Sequence, residues 1–323
     1  MKKFLSLLLV ILLICGVCLS AGACSGAGDG RKKIVVTIFP MYDWVMNVLG
    51  DRAEEFSVTL LLDSGADLHS FNPSVADMVA VAEADLFLYV GGESDKWVPD
   101  ALKNVKNKNI RTMNLLSLLG DRAKAEEYVE GMEREEEEEE DEEEVEYDEH
   151  VWLSLKNAAY YSELIEREIA AVDSDHAETY AANAAAYKAS LTALDGRYEA
   201  TVAASPRDTI LFGDRFPFRY LTEDYGLTYY AAFQGCSADA EASFATIAFL
   251  AEKVKDLGLP AVLALEKSDH KLAETIITAS GVEDVRILTM DSMQAVTPED
   301  RKNGASYLDS MEKNLETLRE ALN

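Results

Sequence analysis

Two kinds of apolar run alternate along this chain. Short continuous runs have the length of strands buried on both faces, and longer segments have apolar residues at the helical period. In KKIVVTIFPMYDWVMNVLG the pattern predicts a strand over Ile34 to Phe39, a turn at Pro40, then a helix. EEFSVTLLLD predicts a second strand, SVADMVAVAEADLFLYVG a helix entering a third strand that stops at Gly91-Gly92, and NIRTMNLLSLL another short strand. Val151 to Val172 and His176 to Thr201 read as helices. The second places Tyr180, Ala184, Tyr187, Leu191 and Leu194 at helical spacing, offers Ser174 or Asp175 as a first-turn cap, and meets few breakers before Pro206. At 1.5 Å per residue it would be ~39 Å long. Strand and helix then alternate again through DTILFG, YLTEDYGL, TYYAAF, SFATIAFLAEKVKDLG, PAVLALE, KLAETIITASG and VRILTMD, before an amphipathic C-terminal helix. Alternation of this kind predicts parallel sheets. The fold class is therefore α/β: two lobes, each a mainly parallel sheet flanked by helices, joined by one long helix. The lobes are expected over 33–174 and 206–323, and the linking helix over 175–205.

Charge changes the picture. The chain of 323 residues has a formal net charge of −29, and Glu133 to Glu149 hold 14 of its 59 acids. Such a surface repels nucleic acid and anionic lipid headgroups and suits cations. At the N-terminus, Lys2 and Lys3 precede an apolar run from Phe4 to Leu19 that is short for a membrane span, the pattern of an export signal over 1–23. Ala21-Gly22-Ala23-Cys24 resembles a bacterial lipobox, with Ala21 where the pattern prefers Leu. Cys24 is accordingly expected to be lipidated and to begin a tether over 24–32, anchoring the protein to the outer face of the cell membrane. Cleavage by an ordinary signal peptidase is the alternative. Cys15 and Cys18 fall within the signal, which leaves Cys236 alone, without an internal disulfide partner. Its default reading is a small buried hydrophobe. The sequence has no GxGxxG or GxxxxGK[ST] pattern for a nucleotide.

Of four histidines, His69 lies in a loop between a strand end and a helix, and His150 lies where the acid run meets a helix. Binding groups concentrate at such element ends in open α/β sheets. His176 and His270 sit near helix starts and read as exposed. Two loop-to-helix histidines in an exported acidic protein point toward a metal.

These motifs resemble the metal-binding solute-binding lipoproteins of bacterial ABC importers, the zinc and manganese uptake group. ADLHSFNPS matches the family's first-ligand loop and DEHVWLSLKNA its second. DSDHAETYAANAAAY, EDYGL, VLALEKSDHKLAE and SYLDSMEKNLETL follow in the family's order, so the resemblance covers the whole mature chain. It implies two α/β lobes bridged by a long helix, and His69 and His150 as metal ligands. TMDSMQAV matches the family's late Asp-Ser segment and implies Asp291 as a carboxylate ligand. At the remaining position the family has His or Glu. Here the aligned residue is Arg215, which stays protonated and cannot ligate a cation. Asp214 is the expected ligand in its stead. The alternative has Asp214 capping the next helix, Arg215 pairing with a carboxylate, and water completing the site. Glu266 matches a recurring family glutamate and is expected to support the ligands rather than join them.

The resemblance implies an extracytoplasmic receptor, not an enzyme, that captures Zn²⁺ (Mn²⁺ is the alternative cargo) and delivers it to a membrane permease driven by a separate ATPase. A monomer is expected. Zinc members commonly have an acidic, His-rich loop before the second histidine. Here the loop over about 133–147 has the acids without the histidines, and is expected to be disordered and to collect cations weakly. A metal-dependent adhesin and a hydrolase are the functional alternatives. The hydrolase lacks an HExxH motif or nucleophile elbow.

Overall fold

The computed structural model describes residues 30–133, 145–237 and 241–323. The signal, Cys24, most of the tether and the heart of the acid run (134–144) lie outside the described residues. Lys33–Asn323 form one compact unit.

The N-terminal lobe runs β1 (Lys32–Val36), α1 (Phe39–Leu49), β2 (Phe56–Leu60), α2 (Val75–Ala82), β3 (Leu86–Tyr89), α3 (Val98–Lys103), β4 (Arg111–Asn114) and α4 (Leu115–Leu119). Its sheet order is β2-β1-β3-β4, with β1–β3 and β3–β4 parallel. The helices α5 (Leu155–Val172) and α6 (Ala177–Ala204) lead to the second lobe. That lobe runs β5 (Thr209–Phe216), α7 (Arg219–Tyr225), β6 (Thr228–Gln234), α8 (Phe244–Asp256), β7 (Ala261–Leu265), α9 (Lys271–Ser280), β8 (Arg286–Met290), α10 (Pro298–Lys302) and α11 (Tyr307–Leu322). Its order, β6-β5-β7-β8, is parallel throughout. Every residue of β7 is buried, as expected of a central parallel strand covered on both faces.

Several element starts differ from the pattern reading, each for a local reason. Pro40 makes no separate turn. It lies in the first turn of α1, where its missing N–H costs nothing. NIRTMNLLSLL is strand only to Asn114, whose side chain accepts the Ser117 N–H and starts α4. Val151–Leu153 form a short 3₁₀ turn before α5, because Ser154 caps that helix at the Asn157 N–H. Ser174–His176 are also a 3₁₀ turn, and neither Ser174 nor Asp175 caps α6.

Helix α6 buries Tyr180, Ala184, Tyr187, Leu191, Leu194 and Tyr198. That stripe belongs to one continuous core that runs from β1 and α1 through α5 and α6 into β5, β7 and α11. A second core lies within the C-terminal lobe between its sheet and α8 and α9. Strands β1, β3, β5, β6, β7 and β8 thus present their C-terminal ends as a set of loops, where an open parallel sheet places its ligand.

Candidate metal centre

Asp67, at the start of the 3₁₀ turn Leu68–Ser70, accepts the His69 N–H at 2.9 Å. Leu68 beside it is fully buried and pins the loop to the core. On the other wall, Asp148 Oδ1 accepts the His150 backbone N–H at 2.8 Å, and the His150 carbonyl accepts the Leu153 N–H. Trp152 follows in the 3₁₀ turn. Its Nε1 donates to the Ser292 carbonyl and its own carbonyl accepts from Tyr307, which ties this wall to the C-terminal lobe.

These restraints bring His69 and His150 together with their Nε2 atoms 3.2 Å apart. With Asp148 and Glu149 ionised, the partners of the outer nitrogens select the tautomers. His150 Nδ1 lies 3.1 Å from Asp148 Oδ1, the oxygen that already accepts the backbone N–H, so Nδ1 is the donor. His69 Nδ1 lies 3.0 Å from Ser94 Oγ, whose own hydroxyl donates to Glu149 Oε2, so the imidazole donates to Ser94. With both Nδ1 atoms donating, the two Nε2 lone pairs face each other, a repulsive arrangement that a cation between them would relieve. Two Zn–N bonds of ~2.0–2.1 Å at a tetrahedral angle span about 3.3 Å, close to the observed gap. Partners of this kind fix ligand orientation in metal sites.

Burial, with each other's charge, pushes the His69 pKa down to about 3, and burial pushes His150 down to about 4. Both imidazoles are thus neutral near neutral pH, as metal ligation requires. Burial raises Asp148, Glu149 and Glu126 each to about 7. Asp148 and Glu149 end the acid run, yet they are almost fully buried against the histidines rather than solvated. The margins of the run are also held in place. Glu133 accepts from Ser243 and Thr246, Glu126 N–H donates to the Glu146 carbonyl, and Tyr147 bridges to Ala125.

A third donor atom joins the pair. Cys236 Sγ, in the turn after β6, lies with ring nitrogens of His69 and His150 in a group whose atoms are all within 4.8 Å of one another. Gly235 permits this approach, because a Cβ there would sit 3.0 Å from His150 Cε1 and 2.8 Å from the Phe216 carbonyl oxygen. Cys236 is thus partly exposed beside two imidazoles rather than a small hydrophobe in the core. The only signal in its favour was its place at a strand's C-terminal end.

The two aspartates singled out with the histidines stand outside this group. Asp214 Oδ1 accepts the Arg215 N–H and Oδ2 the Leu265 N–H, so both oxygens serve the backbone. It lines a cleft of about 300 Å³ with Asp67, Arg215, Glu266 and Gln294. Asp291 Oδ1 accepts the Met293 N–H and Oδ2 the Ser310 hydroxyl. It lines a separate cavity of about 430 Å³. Glu266 holds Ser292 by its N–H and its hydroxyl and so shapes the turn after β8. Arg215 pairs with Asp67 at 2.6 Å and donates to the Ser237 carbonyl, linking the His69 loop to the turn that bears Cys236.

Two parallel-sheet lobes with a long helix between them thus hold two convergent imidazoles in an arrangement suited to a metal ion. The family described as "ZnuA: Zinc-uptake complex component A periplasmic" matches residues 34–321, and the chain belongs to that family. The family is a component of zinc uptake rather than a group of enzymes. The chain is 34% identical to the zinc-binding lipoprotein AdcA of Streptococcus pneumoniae, over 99% of this chain and 61% of AdcA. It therefore spans about three fifths of that relative's length. It is 29% identical to the high-affinity zinc uptake system protein ZnuA of Bacillus subtilis, over 95% of this chain and 92% of ZnuA. The Zn(II)-bound ZnuA-like domain of Streptococcus pneumoniae AdcA superposes with a TM-score of 0.70 at 31% identity, covering 91% of this chain and 99% of that domain.

Proposed function

We propose that this protein is the extracytoplasmic receptor of a zinc import system, holding Zn²⁺ through His69 and His150 and passing it to a membrane permease coupled to an ATPase. Lipidation at Cys24 would keep it on the outer face of the cell membrane. The observation that supports this most is the pair of Nε2 lone pairs 3.2 Å apart, each fixed by a partner on its outer nitrogen. Family membership and the zinc-named relatives agree with it. Zinc is favoured over manganese because no carboxylate oxygen joins the donor group among the described residues, and manganese prefers oxygen ligands. Asp214 and Asp291 act in this reading by holding the loops after β5, β7 and β8, since their oxygens are engaged by backbone and hydroxyl groups.

The test is calorimetric titration of Zn²⁺ into the metal-stripped chain beginning after Cys24, compared with His150→Ala and with deletion of residues 135–144. Tight binding of one ion is expected in the parent and loss of it in His150→Ala. The deletion should leave affinity within about threefold, because shortening a loop changes its closure entropy only slightly. Equal losses in the two variants would move the site from the imidazoles to the acid run.

A further inference from the structure

Resting on that receptor reading, we propose that Cys236 is the third metal-binding group, so that the cargo is held by two imidazoles and one thiolate. Three observations converge on this. First, Sγ shares the donor group of His69 and His150, with all atoms within 4.8 Å. The nitrogen-to-sulfur edge of a tetrahedral zinc site is about 3.5 Å, so rotation about the Cys236 side chain or a small closure of the turn completes the geometry. Second, the turn is placed against the histidine by construction. Gly235 packs on the His150 ring where a side chain would clash, and Arg215 ties Ser237 to Asp67. Third, the rival donors are engaged elsewhere. Asp67 neutralises Arg215, Asp214 serves two backbone N–H groups, and Asp291 binds Met293 and Ser310.

In this arrangement Arg215 is a brace rather than a ligand. It links the loop that bears His69 to the turn that bears Cys236, and so ties one lobe's donor to the other's. As the metal–sulfur bond forms, the thiol proton passes to solvent and the thiolate cancels one of the cargo's two charges. A donor set of two nitrogens and one sulfur selects thiophilic ions such as Zn²⁺, Cd²⁺ and Co²⁺ over Mn²⁺, Mg²⁺ and Ca²⁺. The specificity of the site would then rest on a residue that is neither a histidine nor a carboxylate.

Cobalt spectroscopy tests this. In the metal-stripped chain beginning after Cys24, Cys236 is the sole cysteine. One equivalent of Co²⁺ is expected to give a sulfur-to-cobalt charge-transfer band in the near ultraviolet together with intense tetrahedral d–d bands. Zn²⁺ should abolish both. In Cys236→Ser the charge-transfer band should vanish while a weaker Co²⁺ complex persists, with Zn²⁺ affinity lowered by more than the ~10-fold typical of losing an outer partner. Stoichiometric Co²⁺ without the charge-transfer band in the parent would overturn the thiolate and leave the receptor reading intact. No binding of Co²⁺ or Zn²⁺ by the parent would overturn both. The parent spectrum decides the matter even if the variant does not fold.

Discussion

At the scale of single residues, the site depends on what stands behind each imidazole. Asp148 accepts both the backbone N–H and the ring N–H of His150, and thereby fixes the residue's position and its tautomer. Asp148→Ala should lower Zn²⁺ affinity about 10–100-fold, and Asp148→Asn, which keeps an acceptor oxygen, should lose less. Competition against a chelating dye would measure both, and equal losses would mean that the charge of Asp148 matters rather than its acceptor geometry. His69 and His150 were legible because each stands at the edge of an element, in a stretch that resembles a known ligand loop. Asp148 and Glu149 were not, since nothing in a run of like acids distinguishes the two that turn inward. Cys236 was not legible either. Its meeting with His150 joins positions far apart in the chain and depends on Gly235 packing against the ring, which only the folded chain brings about.

At the scale of elements, the apolar stripe of α6 was readable from its period, and the same five positions line the core together with Tyr198. Helix starts were read less well, because Asn114 and Ser154 cap their helices through side-chain bonds that apolar spacing does not reveal. The contact of α1 with α6 also contains a polar group that costs stability. Asp43 on α1 is buried, accepts from Tyr187 on α6 and from Asn47, and has its pKa raised by burial to about 6 from 3.8. The folded state therefore binds more protons than the unfolded chain between those values, so this group's contribution to stability falls as pH rises from 3.8 to 6 and is level above. Asp43→Asn should accordingly raise stability at pH 7 by about 1–3 kcal/mol and have little effect near pH 4. Urea unfolding at the two pH values measures this, and a gain at pH 4 equal to that at pH 7 would contradict it.

At the scale of the whole molecule, the alternation of strands and helices was enough to predict two parallel-sheet lobes and the helix between them. It did not reveal the cleft. The two lobes meet through a shared core, through Trp152 bonded to Ser292, and through the Asp67–Arg215 ion pair across the site. The ion pair gives Arg215 a carboxylate partner from the opposite lobe. The pair is about a quarter exposed, so its own strength should be modest, ~1 kcal/mol or less. Arg215→Ala should leave global stability nearly unchanged while speeding hydrogen exchange in the metal-free protein at residues 66–70 and 235–237. Unaltered exchange in both loops would show that the ion pair does not hold them.

Metal selectivity separates a site of imidazole and thiol donors from one with a carboxylate ligand. The metal-stripped chain beginning after Cys24 should be titrated with Zn²⁺ in the presence of a large excess of Mn²⁺, with bound metal measured by mass spectrometry of the intact protein. One Zn²⁺ per chain, undisplaced by Mn²⁺, is the predicted result. Preferential loading of Mn²⁺ would contradict the account, because it would require oxygen ligands where this structure places two imidazoles and a thiol.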